Sequence, residues 1–128
     1  MAIERTILNA TRATVVGTRI AVADSFLMRF IGLLGRRDME SGSGLLIRPS
    51  SGVHTFGMLF PIDVVALDSQ MRVLAVWIEL LPWRISGVSW HTRQILELPP
   101  GTIAQSQIQV GDQLSIFANS LLTSVHMP

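Results

Sequence analysis

The residues best able to do chemistry in this chain are His54, Thr55 and Asp63. Histidine is the side chain whose ordinary pKa lies nearest neutrality, so it can act as a general base, and a neighbouring carboxylate can orient its ring. Pro61 forces the chain to extend just before Asp63, which lets the flanking segments fold back and bring the three side chains together. The functional reading is a small polar cleft for a ligand or a metal, with Arg29 or Arg36 clamping an anion. The structural reading is that Asp63 and Thr55 satisfy buried backbone groups or pair with one of those arginines. Buried polar residues usually exist for such reasons, and the structural reading is preferred.

Other chemistries are weaker. His54, Asp63, Asp68 and His91 could supply two imidazoles and a carboxylate to a metal, but no His-x-His or His-x-x-x-His spacing supports it. No metal and no cofactor are therefore expected. The absence of Cys removes thiol nucleophiles, disulfides and cysteine metal sites. All ten basic residues are Arg, so no side-chain amine can form a Schiff base. No Ser lies in a Gly-x-Ser-x-Gly elbow, and Ser41-Gly42-Ser43-Gly44 lacks the Lys of a phosphate-binding loop. Trp77, Trp83 and Trp90, with Arg84 and Arg93 close in sequence, suggest a stacking surface. Trp77 alternates with Val73 and Ala75 and is expected in the core, which leaves Trp83 and Trp90 in an irregular, more exposed stretch.

These residues need elements to hold them. Thr6–Ala10 and Val15–Val22 are rich in β-branched residues and form an opening pair of strands. Asp24 caps a helix over about residues 25–34, whose stripe of Phe26, Leu27, Phe30, Ile31 and Leu34 faces a core; Gly35 ends it. Asp38–Gly44 is a loop, Leu45–Ile47 a short strand stopped by Pro49, and Val53–Met58 the next segment. Ile62–Leu67 and Arg72–Leu80 are the strongest strands, joined by a turn at Asp68-Ser69-Gln70. Gln94–Leu98 is a strand cut off by Pro99-Pro100-Gly101, Thr102–Ser106 a helical turn capped by Thr102, and Gln113–Phe117 a final strand after a turn at Val110-Gly111-Asp112. The fold is mainly β: a sandwich or partly open barrel with one substantial helix.

The 128 residues are expected to make one domain, with residues 118–128 as its C-terminal tail. Hydrophobic residues are 48%, so the chain is not disordered, and the net charge of +1 argues against a nucleic-acid partner. No apolar stretch approaches the roughly 20 residues that span a bilayer, and the N-terminus lacks the apolar centre of a signal peptide. A cytoplasmic location is expected. Leu121 and Leu122 in the tail hint at a dimer contact.

Four segments, Ala23–Arg36, Gly52–Asp68, Ile95–Thr102 and Val110–Ile116, in this order and spacing resemble the prokaryotic family known as domain of unknown function 192. The block His-Thr-Phe-Gly-Met-x-x-Pro-Ile-Asp is the most specific of the matches. The resemblance covers about residues 4–117 and implies a compact β-sandwich-like fold with the helix packed against it. It implies no established activity. In another branch of that family an aromatic residue stands where this chain has His54, so Thr55 and Asp63 match the pattern better than His54 does.

The expected function is a non-catalytic binding or accessory module for a small ligand, a peptide or a partner protein. Its surface would be built from His54, Thr55, Asp63, Arg29, Arg36, Trp83 and Trp90. The alternative is a hydrolase-like or metal-assisted enzyme using His54 and Asp63.

Overall fold

The computed structural model describes residues 4–23, 39–50, 53–54, 60–80, 85–86 and 89–119, for 53–54 and 85–86 the backbone alone. The helix expected over residues 25–34 lies outside them. In chain order the elements are β1 (Glu4–Asn9), β2 (Thr14–Ala23), β3 (Ser43–Ile47), β4 (Val53–His54), β5 (Ile62–Leu67), β6 (Val73–Leu80), β7 (Ile85–Ser86), β8 (Gln94–Leu98), a short helix α1 (Thr102–Ser106) and β9 (Leu114–Ala118). The protein is mainly β.

Seven strands form one mixed sheet in the order β6-β5-β8-β3-β2-β1-β9, and β4 pairs with β7 in a separate ribbon. Every neighbouring pair in the large sheet is antiparallel except β2 and β3, which run parallel from Arg19↔Ser43 to Ala23↔Ile47. The sheet curls until its two edge strands touch at one end. There Leu114 N–H donates to Met71 C=O at 3.0 Å, Val73 N–H to Asp112 C=O at 2.9 Å, and Gly111 N–H to Val73 C=O at 2.9 Å. This is a partly open barrel, joined at one corner and not closed along its length.

The concave side carries the main core. Ile7, Ile20, Leu46, Val65, Val73, Leu96 and Leu114 supply one residue from each strand of the sheet, and Ile103 of α1 closes over them. A second core covers the opposite face of the central strands, with Leu45, Ile62, Val64, Ala66 and Ile95 packed with Met39 and Phe60. The central strands β5 and β8 are thus buried at every position. Burial on both faces explains why Ile62–Leu67 reads as a nearly unbroken apolar run and not as an alternating one.

Three local expectations are corrected by the structure. Strand β6 is interrupted between the pairs Leu67↔Val73 and Ala66↔Ala75, where one extra residue enters. The extra residue inverts the alternation: Val73 joins the concave core, while Ala75 and Trp77 pack against the other one. Trp77 is therefore packed, but not on the side that Val73 occupies. The helical turn at Thr102–Ser106 has Gly101 as its N-cap, with φ 93°, and not Thr102. Strand β3 begins at Ser43, inside the segment expected as loop, because Ser43 and Gly44 already pair with Arg19 and Ile20.

Candidate functional site

Asp63, the second residue of β5, is completely buried. Its Oδ1 accepts the N–H of Glu79 at 2.9 Å, and its Oδ2 accepts those of Gly101 at 3.1 Å and Ile103 at 3.0 Å. The partners are supplied by irregular backbone. A second register shift in β6 leaves Ile78 and Glu79 facing Asp63, and Glu79 adopts φ 52°. Gly101 has no side chain with which to cap α1, so the carboxylate from β5 takes that place. A carboxylate suits the task because charged acceptors make stronger bonds to N–H groups than neutral ones. Asp63 thus ties β5, β6 and the start of α1 together.

The other expected site residues are distributed as follows. The backbone of His54 pairs with Ile85 in the β4–β7 ribbon. The His54 side chain and residues Thr55, Arg29, Arg36 and Trp83 lie outside the described residues. Trp90 is 78% exposed, and its ring lies 3.9 Å from that of His91, tilted by 33°. Asp68 uses Oδ1 to accept the N–H groups of Gln70 and Arg72, both at 2.9 Å, which shapes the β5–β6 turn. Among the described residues no group of three or more His, Asp or Glu could hold a metal ion.

Two features were not legible as sites. The first is a buried polar cluster around Asp112, which the sequence shows only as part of a turn. Asp112 Oδ2 accepts from Asn9 Nδ2 at 3.0 Å, Arg12 Nε at 3.2 Å and Gln109 N–H at 3.0 Å, and Arg12 Nη2 lies 3.2 Å from Oδ1. Burial alone would raise the Asp112 pKa, but the hydrogen bonds from Asn9, Arg12 and Gln109, with the Arg12 charge, outweigh it and hold the carboxyl below its ordinary value. The cluster ties the β1–β2 turn to the segment before β9.

The second is a surface groove of about 340 Å³ lined by Arg48, Pro49, Ser69, Arg93 and Gln94. It forms where β3 and β5 end and β8 begins. Three bonds stitch these segments together: Ser50 N–H to Arg93 C=O at 2.8 Å, Arg93 N–H to Leu67 C=O at 2.9 Å, and Gln94 Nε2 to Asp68 C=O at 2.9 Å. Arg93 Nη1 also donates to the carbonyls of Trp90 at 2.8 Å and Thr92 at 2.9 Å, which anchors the turn carrying Trp90 and His91 beside the groove. Gln94 is only 5% exposed, and its Oε1 is buried without a hydrogen-bond partner; so is Oγ1 of Thr92, two residues earlier. Native proteins leave few buried polar atoms unpaired, and these two stand out in the interior.

The family described as "Uncharacterized ACR", domain of unknown function 192, matches residues 7–116. The chain belongs to this family. A UPF0127 protein of Pyrococcus horikoshii is 35% identical over 101 residues, covering 77% of this chain and 87% of that protein. A UPF0127 protein of Thermococcus sibiricus is 30% identical over 112 residues, covering 84% and 72%. A solved structure of a protein of unknown function from Novosphingobium aromaticivorans superposes with a TM-score of 0.72 at 18% identity, covering 89% of this chain and 84% of that one. At that identity the likeness speaks for the fold alone. The family's members thus include archaeal proteins, in keeping with the prokaryotic family expected from the four segments. No helix among the described residues is long and apolar enough to cross a membrane.

Proposed function

We propose that this domain is a non-catalytic binding module of the cytoplasm that takes a small ligand in the groove between Arg48, Ser69 and Arg93. One observation carries the reading: Arg48 and Arg93 both line this groove, and Arg93 is held in place there by two backbone carbonyls. The two guanidinium groups give the groove a positive rim, and its volume of about 340 Å³ falls at the small end of ligand sites. Trp90, exposed on the adjoining turn, offers an apolar surface to the same ligand or to a partner protein.

The binding reading is also supported over the hydrolase-like or metal-assisted alternative by the state of Asp63. That alternative needs a carboxylate free to orient His54 or to bind a metal. Both oxygens of Asp63 instead accept backbone N–H groups in a place that solvent does not reach.

A thermal-shift screen of small anions and metabolites on wild type, Arg48→Ala and Arg93→Ala tests the proposal. A ligand at 100 times its Kd should add about 2.7 kcal/mol of stability. The expected result is a shift in wild type that shrinks in both variants. Shifts of equal size in all three proteins, or none with any compound, would overturn it.

A further inference from the structure

We infer that the ligand of this groove is a phosphate monoester, an organic dianion whose charge sits on one phosphoryl group and whose apolar body lies against the Trp90 turn; the inference rests on the binding reading above.

The charge of the groove sets the charge of its ligand. Arg48 and Arg93 line it, and no acidic side chain does. Among the described residues the ion pairs are Arg12 with Asp112 and Arg19 with Glu40, so neither guanidinium of the groove is neutralised by a carboxylate. Asp68 stands next to Ser69 in the chain, but its Oδ1 is turned to the N–H groups of Gln70 and Arg72, and the residue is not part of the lining. Two positive charges are matched best by two negative ones. A carboxylate brings one, whereas a phosphate monoester brings close to two above its second pKa of about 6.

The donors point the same way. Arg93 holds the two carbonyls through Nη1 alone, which sets the guanidinium in place and leaves Nε and Nη2 without an acceptor among the described residues. Ser69, exposed in the β5–β6 turn, adds a hydroxyl. The three side chains come from three segments, which Ser50 N–H to Arg93 C=O at 2.8 Å and Arg93 N–H to Leu67 C=O at 2.9 Å hold together. A carboxylate has two oxygens in one plane and fills one planar fork. A phosphoryl group has three terminal oxygens pointing apart and can accept from all three segments. At about 340 Å³ the groove also has room for more than a bare phosphate. Arg93 Nη1 donates to Trp90 C=O at 2.8 Å, so the turn that carries the 78% exposed indole is one hydrogen bond from the cation. An exposed indole offers a face on which a ring or alkyl body packs.

The test is calorimetric titration at slightly alkaline pH with phenyl phosphate, phenyl sulfate, phenylmalonate and methyl phosphate. Phenyl phosphate and phenyl sulfate share a shape and differ by one charge. Phenylmalonate carries two charges on separate carboxylates. Wild type should bind phenyl phosphate about tenfold more tightly than phenyl sulfate or phenylmalonate, the worth of one further charge-assisted hydrogen bond. Arg48→Ala removes a side chain that holds no other group among the described residues, so its effect is not one on folding. It should bring phenyl phosphate close to phenyl sulfate in affinity, and Arg93→Ala should do the same. Trp90→Ala should weaken phenyl phosphate and leave methyl phosphate as it was. Equal affinity for phenyl phosphate and phenyl sulfate would overturn the inference and leave the groove a site for a single charge. Phenylmalonate binding as tightly as phenyl phosphate would overturn it in favour of a dicarboxylate, and equal binding of phenyl and methyl phosphates would remove the body from Trp90. A phosphotyrosine peptide that bound more tightly than phenyl phosphate would place the phosphoryl group on a protein and overturn the small-ligand reading. If none of the probes bound, or if neither arginine variant changed any affinity, the binding reading itself would fall.

Discussion

Oδ2 of Asp63 accepts the N–H of Ile103 at 3.0 Å, so a residue near the start of β5 caps a helix 40 positions further along the chain. The same carboxylate holds Glu79 and Gly101, which makes it a clamp on three segments. Asp63→Ala should cost about 3–5 kcal/mol in urea unfolding, since it leaves three backbone donors without their acceptor. Asp63→Asn should cost less, because its one oxygen can still accept while its NH₂ faces donors. Amide exchange at Ile103 should quicken in both variants. A loss below about 1 kcal/mol for the alanine variant would mean that the three segments are held by packing instead.

Asp112 makes stability sensitive to acid. Its carboxyl is held below the ordinary value of 3.8, so the charged form favours the folded state. For a lowered carboxylate that contribution is complete above the unfolded-state pKa, about 3.9, and disappears as the pH falls through the lower folded-state value. Stability should therefore drop in the range below about pH 4, and part of that drop should vanish in Asp112→Asn. Parallel acid titrations of unfolding for the two proteins check this; curves of identical slope would show that the ion pair with Arg12 contributes nothing.

Gly44 is required by space. A Cβ placed there would lie 2.8 Å from Ile20 Cδ1, 2.9 Å from the Glu97 carbonyl oxygen and 3.0 Å from Leu98 Cδ2. The carbonyl belongs to the neighbouring strand and cannot turn aside. Gly44→Ala should destabilise by about 1–3 kcal/mol through overpacking, as measured by thermal or urea unfolding. Unchanged stability would mean that β3 can move away from β8.

The tryptophans should separate cleanly. Trp90 is 78% exposed, so Trp90→Ala should change stability by no more than about 0.5 kcal/mol while weakening ligand binding at the groove. Trp77 packs against the second core, and Trp77→Ala should cost about 2–3 kcal/mol. Urea unfolding of the two variants, with calorimetric titration of Trp90→Ala, decides between them. A large stability loss at Trp90 would make its turn structural.

The strands that the sequence shows best are those whose burial leaves a plain pattern. Ile62–Leu67 and Gln94–Leu98 have the expected bounds because two covered faces demand a continuous apolar run and turn-forming residues mark the ends. Strand β6 was visible, but its extra residues were not: Val73, Ala75 and Trp77 look like one alternating face, and only pairing with β5 shows the inversion. The role of Asp63 depends on amides 16, 38 and 40 residues away, and no spacing rule reaches that far. The groove was half visible. Trp90 and Arg93 stood out by type, whereas Arg48, Ser69 and Gln94 became neighbours only when two strand ends met the start of a third. A Gln heading an apolar strand is a cue that could have been used, since its side chain must find partners once buried.

The corner where β6 and β9 touch also sets the order in which the molecule can be completed. Strand β9 pairs with β1, joining Asn9 to Leu114, and its first residues meet the start of β6. The outermost ladder thus links segments far apart along the chain. On the ribosome, β1 and β2 can pair early, but the free edge of β1 must wait until Ala118 has left the exit tunnel. Contacts between such distant residues make for slow folding, and during that wait the uncovered edge of β1 is the strand most open to pairing with another nascent chain.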